Sequence, residues 1–196
     1  MMGSLTEEIA AAAARWVVED GLDYASAKRR AAQDLLRRDG RRAELPSSEQ
    51  VEDAVREHLA LFHADSQPGE LRALREQALR WMERLAEFRP HLAGAVWRGT
   101  ATRLSPILLD LYCDDSKAPE IALLNLGIDF DSDSPGHPDA LVLSLDEPNR
   151  VLGEHVSLHL VVHDLDGQRG ALRPDARGRS WRGDTAALKR LLDAAP

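Results

Sequence analysis

The stretch from Gly94 to Leu109 reads GAVWRGTATRLSPILL, and the interpretation of the whole chain depends on it. Leu92–Val96 is a short apolar segment that follows a proline, and Ile107–Tyr112 is a longer one that follows another proline. Short apolar segments bounded by turn residues are typical of strands. The sequence therefore predicts two neighbouring strands that are connected by Gly99–Leu104.

Residues 1–90, before this stretch, predict helix almost throughout, because strong helix formers alternate with turn and cap residues. Glycines at positions 21 and 40 predict the ends of the first two helices, and the cap Ser47-Ser48-Glu49 predicts the start of the third. The four predicted helices are Thr6–Asp20, Tyr24–Arg38, one that follows the cap, and one from Pro68 to near Phe88. We expect their apolar stripes to be packing surfaces.

Residues 91–196 predict a sheet region that ends in an Arg-rich segment and a helix. Besides the two strands already described, the sequence predicts a short helix at Pro119–Asn125 and a last helix at Ala186–Leu192, capped by Asp184-Thr185. The remaining predicted strands are Ile128–Phe130, Leu141–Leu145 and Val156–His163. The fold class is therefore α+β, with an N-terminal helical bundle packed on a sheet of four or five strands.

Gly94, Arg98-Gly99, Ala101, Ser105 and Ile107 resemble the signature of the nucleotidyltransferase superfamily, which is typified by DNA polymerase beta and the minimal bacterial nucleotidyltransferases. In that family a strand, a Gly-Ser turn and an Arg-Gly-x-Ala segment precede Ser-Asp-x-Asp at the start of the next strand. The resemblance covers about residues 92–165 and implies a nucleotidyltransferase-like mixed sheet. The candidate phosphate- or ligand-binding residues in this part are Gly94, Arg98, Arg103 and Ser105.

The positions that carry the family's chemistry hold other residues in this chain. Two carboxylates at alternate strand positions would hold a divalent metal against the triphosphate, but Pro106 and Leu108 occupy those positions. Ala95 replaces the serine of the turn, and His159 or Ser157 stands where a third carboxylate is expected. Magnesium requires oxygen ligands. We therefore expect a pseudoenzyme with no catalytic residue, metal or cofactor, which binds a ligand or a partner.

Two alternatives stay open. The first is an active metal-dependent nucleotidyltransferase with displaced carboxylates such as Asp110, for which Mg²⁺ would be the cofactor. Asp110 shares the strand parity of Leu108 but lies about 7 Å further along the strand. The second is a helical interaction protein whose bundle pairs with another chain. Convergence of Arg98 and Arg103 in a cleft would favour ligand binding, whereas clustered carboxylates would favour the enzyme.

Metal and nucleophile chemistry find little support elsewhere in the sequence. His155, His159 and His163 recur at every fourth residue within a β-branched, alternating segment. A strand would place the first and last of them about 26 Å apart, which is too far to share one ion. The single cysteine, Cys113, lies beside acidic residues that raise rather than lower a thiol pKa.

Charge is unevenly distributed along the chain, which carries 25 basic and 33 acidic residues and a net charge of −8. Asp110–Asp166 has a net charge of −11, whereas Arg169–Arg190 has a net charge of +5. We expect a small anionic ligand or an acidic protein surface at the basic segment, with Arg177 and Arg179 as candidate contacts. The alternative is that these arginines pair with nearby acids and hold the last helix against the sheet. The overall negative charge argues against nucleic acid as a partner.

The remaining expectations concern location. No apolar run approaches the roughly 20 residues that a bilayer span requires, so no membrane association is expected. The acidic N-terminus does not resemble a secretory signal, and one cysteine forms no internal disulfide, which together favour the cytoplasm. The preference for Arg over Lys is typical of a GC-rich bacterial genome. The oligomeric state does not follow from the sequence.

Overall fold

The computed structural model describes residues 4–39, 44–133 and 141–194 of the chain. Within these residues, seven α-helices and a six-stranded mixed sheet form an α+β fold, as the sequence predicts. The chain divides into two compact units, one of residues 1–69 with 100–104 and the other of residues 70–99 with 105–196. The boundary between the two units therefore lies inside the fourth helix.

The first unit contains helices α1 (Leu5–Asp20), α2 (Tyr24–Asp39) and α3 (Ser48–Phe62). Capping boxes begin two of them, because Ser4 exchanges hydrogen bonds with Glu7 before α1 and Ser47 does so with Gln50 before α3. The first helix thus begins one residue earlier than predicted. The predicted stop of α2 at Gly40 lies outside the described residues.

Small side chains dominate the core of the first unit and allow its helices to pack closely. Ala13, Ala27 and Ala31 are fully buried, together with Val51 and Val55 of α3. Because alanine has no side chain beyond Cβ, these helices can approach each other more closely than leucine would allow. Their apolar stripes are packing surfaces, as expected.

The second unit contains most of α4 (Gln67–Arg84) and the whole sheet. A short 3-10 turn, Ala86–Phe88, follows α4. The elements that come after it are β1 (His91–Ala93), α5 (Gly94–Arg98), β2 (Ile107–Tyr112), α6 (Ala118–Asn125), β3 (Asp131–Asp133), β4 (Leu141–Asn149), β5 (Glu154–His163), β6 (Arg182–Asp184) and α7 (Thr185–Ala194). None of the described helices is long and apolar enough to cross a bilayer.

Two predicted strands need correction, and one observed strand was not predicted. The second half of Leu92–Val96 is helical, because the backbone turns at Gly94, with φ +67°, and enters α5. The segment Ile128–Phe130 is not a strand, and β3 is formed by the three residues that follow it. The sheet has six strands because the three-residue β6 joins its edge, a strand too short to show a periodic pattern.

The strand order is β3-β4-β5-β2-β1-β6, and β2 pairs with β5 in the one parallel pair of this sheet. The expected adjacency of β1 and β2 is confirmed, with Ala93 opposite Leu108 and an antiparallel register. Residues 99–104 lie in the connection between them, together with α5.

The two faces of the sheet differ in polarity because side chains alternate along each strand. One face is apolar and buried, and Leu92, Leu109 and Leu160 lie on it. The other face carries polar groups on neighbouring strands. The residues that share the second face are His91, Asp110, Tyr112, Ser144, Asp146, Ser157, His159 and His163.

Candidate functional site

A leucine fills the position that the resemblance assigns to a metal-binding carboxylate. In the sheet register, Leu108 lies between Ala93 of β1 and His159 of β5. Its side chain covers the turn, because a Cβ placed on Gly94 would lie only 2.8 Å from Leu108 Cδ1. Pro106, at the other carboxylate position, is half-buried just before β2. Hydrocarbon therefore occupies this part of the polar face.

The nearest carboxylate along β2, that of Asp110, is bonded within the chain. Its Oδ1 lies 2.8 Å from Nε2 of His163, and its Oδ2 lies 3.2 Å from Nε of Arg182. The Asp110 side chain is only 10 % exposed. Arg182 also donates a hydrogen bond of 3.1 Å to the Tyr112 hydroxyl. Asp110 is thus one member of a polar network that spans β2, β5 and β6.

Aromatic contacts complete this network. The Tyr112 ring stacks on His163 and is perpendicular to the His91 ring, each at a centroid distance of 5.2 Å. Burial, followed by the Asp110 charge, raises the pKa of the Tyr112 phenol above its ordinary value, and Arg182 partly opposes this shift. The phenol is therefore protonated at neutral pH and can accept from the arginine.

A second polar group lies further along the sheet face, in a cleft of about 370 Å³. The hydroxyl of Ser144 and Nδ1 of His159 are 2.8 Å apart, and Ser157 donates a 2.7 Å hydrogen bond to Asp146. His159 and His163 thus have different partners, in keeping with the expected spread of the histidines along a strand. Within residues 4–39, 44–133 and 141–194, no group of three or more His, Cys, Asp or Glu side chains is placed to hold a metal ion.

Arg98, at the end of α5, has a buried guanidinium with fixed partners. Its Nη1 donates to the Ser180 carbonyl over 3.1 Å, and its Nη2 donates to Asp175 Oδ2 over 3.0 Å. The guanidinium also lies over the Trp181 ring, 4.2 Å from the centroid, and the side chain is 5 % exposed. Trp97 donates to the same Ser180 carbonyl through its indole Nε1.

Asp175 is the centre of the loop Pro174–Ser180, which we call the arginine loop. Its Oδ1 accepts hydrogen bonds of 2.9 Å from the backbone N–H groups of Arg177 and Arg179, and its side chain is 1 % exposed. The Arg179 Nε lies 3.9 Å from Oδ2. The hydrogen bond from the Arg179 N–H, and next the one from the Arg98 guanidinium, hold the pKa of Asp175 below its ordinary value.

The structure brings together three of the six predicted ligand-binding residues, because Arg98, Arg177 and Arg179 all donate to Asp175. Gly94 lies under Leu108, and Ser105 lies just before β2. Arg103 is exposed and belongs to the first unit, whereas Arg98 belongs to the second. The assignment of these residues to a ligand stays a prediction.

Sequence analysis missed Asp175 itself and counted it only as an acid within a basic segment. A signal was present, because Pro174-Asp175 followed by Gly178 is a turn pattern in which the aspartate side chain accepts from the backbone after it. The alternative interpretation was that the arginines of the basic segment pair with nearby acids. Arg182 agrees with it, since it pairs with Asp110 of the acidic segment. Arg182 of this segment therefore lies in β6, whereas Arg177 and Arg179 lie in the arginine loop.

Cys113 follows β2 and donates through Sγ to the Asp115 carbonyl over 3.2 Å. Burial, and next the charges of Asp115 and Asp114, raise the pKa of the Cys113 thiol. The expectation that the neighbouring acids raise this pKa is confirmed. The thiol is therefore poorly ionised at neutral pH, which makes it a weak nucleophile.

Comparison with known proteins adds no family to this description. No family model matches the chain, and no curated protein matches it. The resemblance to nucleotidyltransferases continues to depend on the residues around Gly94 and Arg98.

Proposed function

We propose that this chain is a catalytically degenerate, nucleotidyltransferase-like protein that binds an anionic ligand at the arginine loop and does not transfer a nucleotide. One observation carries the binding proposal. The Arg98 guanidinium and the N–H groups of Arg177 and Arg179 converge on a single carboxylate, that of Asp175. An arrangement that holds one buried anion has the chemistry to hold another.

Guanidinium and backbone N–H groups together form a strong site for carboxylate or phosphate oxygens. Charge-assisted hydrogen bonds are shorter and stronger than neutral ones, and here one guanidinium and two backbone N–H groups donate to the same carboxylate. The distribution of charge also favours anion binding at the loop, because Arg169–Arg190 has a positive net charge while Asp110–Asp166 has a strongly negative one. An anion is thus attracted to the loop and repelled from the polar face of the sheet. A carboxylate on an acidic protein surface presents the same chemistry as Asp175.

The absence of transfer is proposed from the residues that replace the metal ligands. Leu108 covers Gly94 with hydrocarbon, and both oxygens of Asp110 face His163 and Arg182. A magnesium ion at Asp110 would have to compete with the Arg182 guanidinium for the same oxygen. This argues against the alternative of an active enzyme with a displaced carboxylate.

Binding is tested by titrating the full chain with inorganic phosphate, pyrophosphate and ATP in a calorimeter. We expect binding that is lost in Arg177→Glu/Arg179→Glu and kept in Arg169→Glu/Arg190→Glu, a control with the same charge change at exposed residues. Equal weakening in both variants would show a general charge effect and contradict a site. A sharp fall in the melting temperature of the first variant alone would instead support the structural alternative for these arginines.

Transfer is tested separately, with labelled ATP and GTP, Mg²⁺, and the protein itself or small acceptors. We expect no measurable incorporation, with or without Asp110→Asn. Robust Mg²⁺-dependent transfer that disappears in Asp110→Asn would overturn the proposal and establish the enzyme.

A further inference from the structure

The anion-binding groups of the arginine loop already hold an anion that belongs to the chain. We call the Arg98 guanidinium and the backbone N–H groups of Arg177 and Arg179 the anion cradle. Asp175 contacts all three donors at 2.9–3.0 Å and is almost completely buried. The question is whether this carboxylate is the ligand for which the cradle is built or a substitute for one.

The guanidinium of the cradle is positioned by contacts other than Asp175. Nη1 of Arg98 is held by the Ser180 carbonyl, and the guanidinium plane lies against Trp181. The Trp97 indole donates to the same carbonyl over 3.0 Å. Removal of the Asp175 carboxylate therefore leaves the guanidinium aimed at the vacated position.

The two backbone donors are also held independently of the carboxylate. The Asp175 N–H donates to the Arg179 carbonyl over 2.8 Å, and the Gly178 N–H donates to the Asp175 carbonyl over 3.0 Å. Pro174 and Ser180 form an isolated bridge at the base of the loop, and Gly178 adopts φ +76° at its tip. All of these contacts use main-chain atoms, so they survive a change of the Asp175 side chain.

We propose, on the basis of the proposed function, that Asp175 is a built-in competitor for the anion cradle and that the ligand that displaces it is a phosphoryl group. A free carboxylate makes the same bonds as Asp175 but lacks the advantage of attachment to the chain. A phosphoryl group carries about −1.5 to −2 charges and three acceptor oxygens. One oxygen each can take the Arg98 guanidinium and the two N–H groups, while the extra charge attracts Arg179, whose Nε is 3.9 Å from Asp175 Oδ2.

Competition of this kind lowers the affinity of the native chain for its ligand. The apparent affinity falls in proportion to the fraction of molecules in which the site is open. If Asp175 holds the cradle in about nine molecules of ten, its removal raises the affinity by about tenfold. We expect this gain from Asp175 because its carboxylate accepts from all three donors of the cradle.

The experiment measures inorganic phosphate binding by calorimetry in the wild type, in Asp175→Ala and in Asp166→Ala. Asp166 is the matched control, since it has the same charge, lies nearby in the sequence and is 86 % exposed. We expect Asp175→Ala to bind phosphate about tenfold more tightly than the other two proteins. The double variant Asp175→Ala/Arg98→Gln is expected to lose the gain. For acetate, titrated at the same ionic strength, we expect Asp175→Ala to raise the affinity by a smaller factor than for phosphate.

Folded Asp175→Ala with unchanged phosphate affinity would overturn the competitor while leaving wild-type binding, and so the proposed function, intact. Failure of the wild type and of Asp175→Ala to bind phosphate would contradict both. A larger gain for acetate than for phosphate would contradict the phosphoryl class. If Asp175→Ala is too unstable for calorimetry, its melting temperature is compared in phosphate and in chloride at equal ionic strength. A phosphate-specific rise larger than that of the wild type supports the proposal, and an equal rise overturns it.

Discussion

The carboxylate of Asp110 and the Nε2 atom of His163 lie 2.8 Å apart on neighbouring parallel strands, β2 and β5. Arg182 contacts the other oxygen of the same carboxylate from β6, which is an edge strand of the sheet. One aspartate thereby connects three strands on the polar face. The residue that the sequence offered as a displaced catalytic carboxylate therefore has a structural role in the fold.

Replacement of Asp110 by asparagine is expected to destabilise the chain by about 1–3 kcal/mol, because the change leaves a partly buried guanidinium without its charged partner. We expect a value in the lower part of this range, because water screens the charges of the partners. The Arg182 and His163 side chains are about 30 % exposed. Urea denaturation followed by circular dichroism measures the change. Asp114→Asn, at an exposed position just beyond β2, is the control and should have little effect. Equal effects of the two changes would contradict the structural role of the network.

The contact between Gly94 and Leu108 gives a second prediction. Gly94→Ala and Gly153→Ala both place an alanine at nearly the same positive φ, +67° and +71°, but only the first meets a neighbour. Both changes should cost about 1–2 kcal/mol for the left-handed backbone. Gly94→Ala should cost about 1 kcal/mol more, because its Cβ would press on the end of the Leu108 side chain.

The double variant Gly94→Ala/Leu108→Ala tests the origin of that extra cost. Removal of the leucine methyl groups should reduce the difference between Gly94→Ala and Gly153→Ala, as a double-mutant cycle would measure from denaturation curves. If the two alanine variants are equally stable from the start, Leu108 does not cover the turn in solution.

Much of the helical part could be predicted because its signals are local. Ser47 and Gln50 cap α3 through atoms three residues apart, and Gly21 ends α1 with φ +69°. Such caps depend on residues that are close together in the sequence, so a short sequence pattern predicts them. Strand β2 was predicted at its observed limits for a similar reason, since a continuous apolar run follows a proline.

The short strands and the core of the candidate site could not be predicted, because they depend on residues far apart in the sequence. Strand β6 exists because Gly183 pairs with Leu92 of β1. The contact between Arg98 and Asp175 joins positions 77 residues apart. Composition indicated which arginines could bind an anion. The turn around Asp175 has a local pattern, but no local pattern shows that its carboxylate also contacts Arg98.

A third prediction concerns the packing of Trp97 on Gly183. A Cβ at Gly183 would overlap the indole ring, whereas a Cβ at Gly69, in α4, would meet no atom within 4 Å. Gly183→Ala should therefore destabilise the chain by about 1–3 kcal/mol or more. Gly69→Ala should be neutral or stabilising by up to about 1 kcal/mol, since alanine is the better helix former.

Thermal denaturation of the two variants beside the wild type measures this difference. The Trp97 indole also orients the Ser180 carbonyl that holds Arg98, so Gly183→Ala should weaken phosphate binding at the arginine loop as well. A Gly183→Ala protein as stable as Gly69→Ala would show that the tryptophan ring does not lie against β6.

A fourth prediction concerns pH and a histidine of the first unit. Burial lowers the pKa of His58 below its ordinary value of about 6.5, with smaller contributions from His63 and Arg15, and Glu19 partly opposes the shift. The native chain therefore binds this proton less readily than the unfolded chain does. Stability should fall as the pH drops from about 6.5 towards the lower pKa of the folded state, because protonation favours the unfolded chain there.

The variant His58→Gln should remove this contribution and make the melting temperature less sensitive to pH between about 7 and 5. His155→Gln, at an exposed position of β5, controls for the loss of a histidine as such. Melting curves of both variants and the wild type, recorded across this range at constant ionic strength, measure the slopes. A slope for His58→Gln that equals the wild-type slope would mean that other groups, and not the burial of His58, set the pH dependence. A flatter slope in His58→Gln alone would assign it to the imidazole, which lies 3.8 Å from the Glu19 carboxylate.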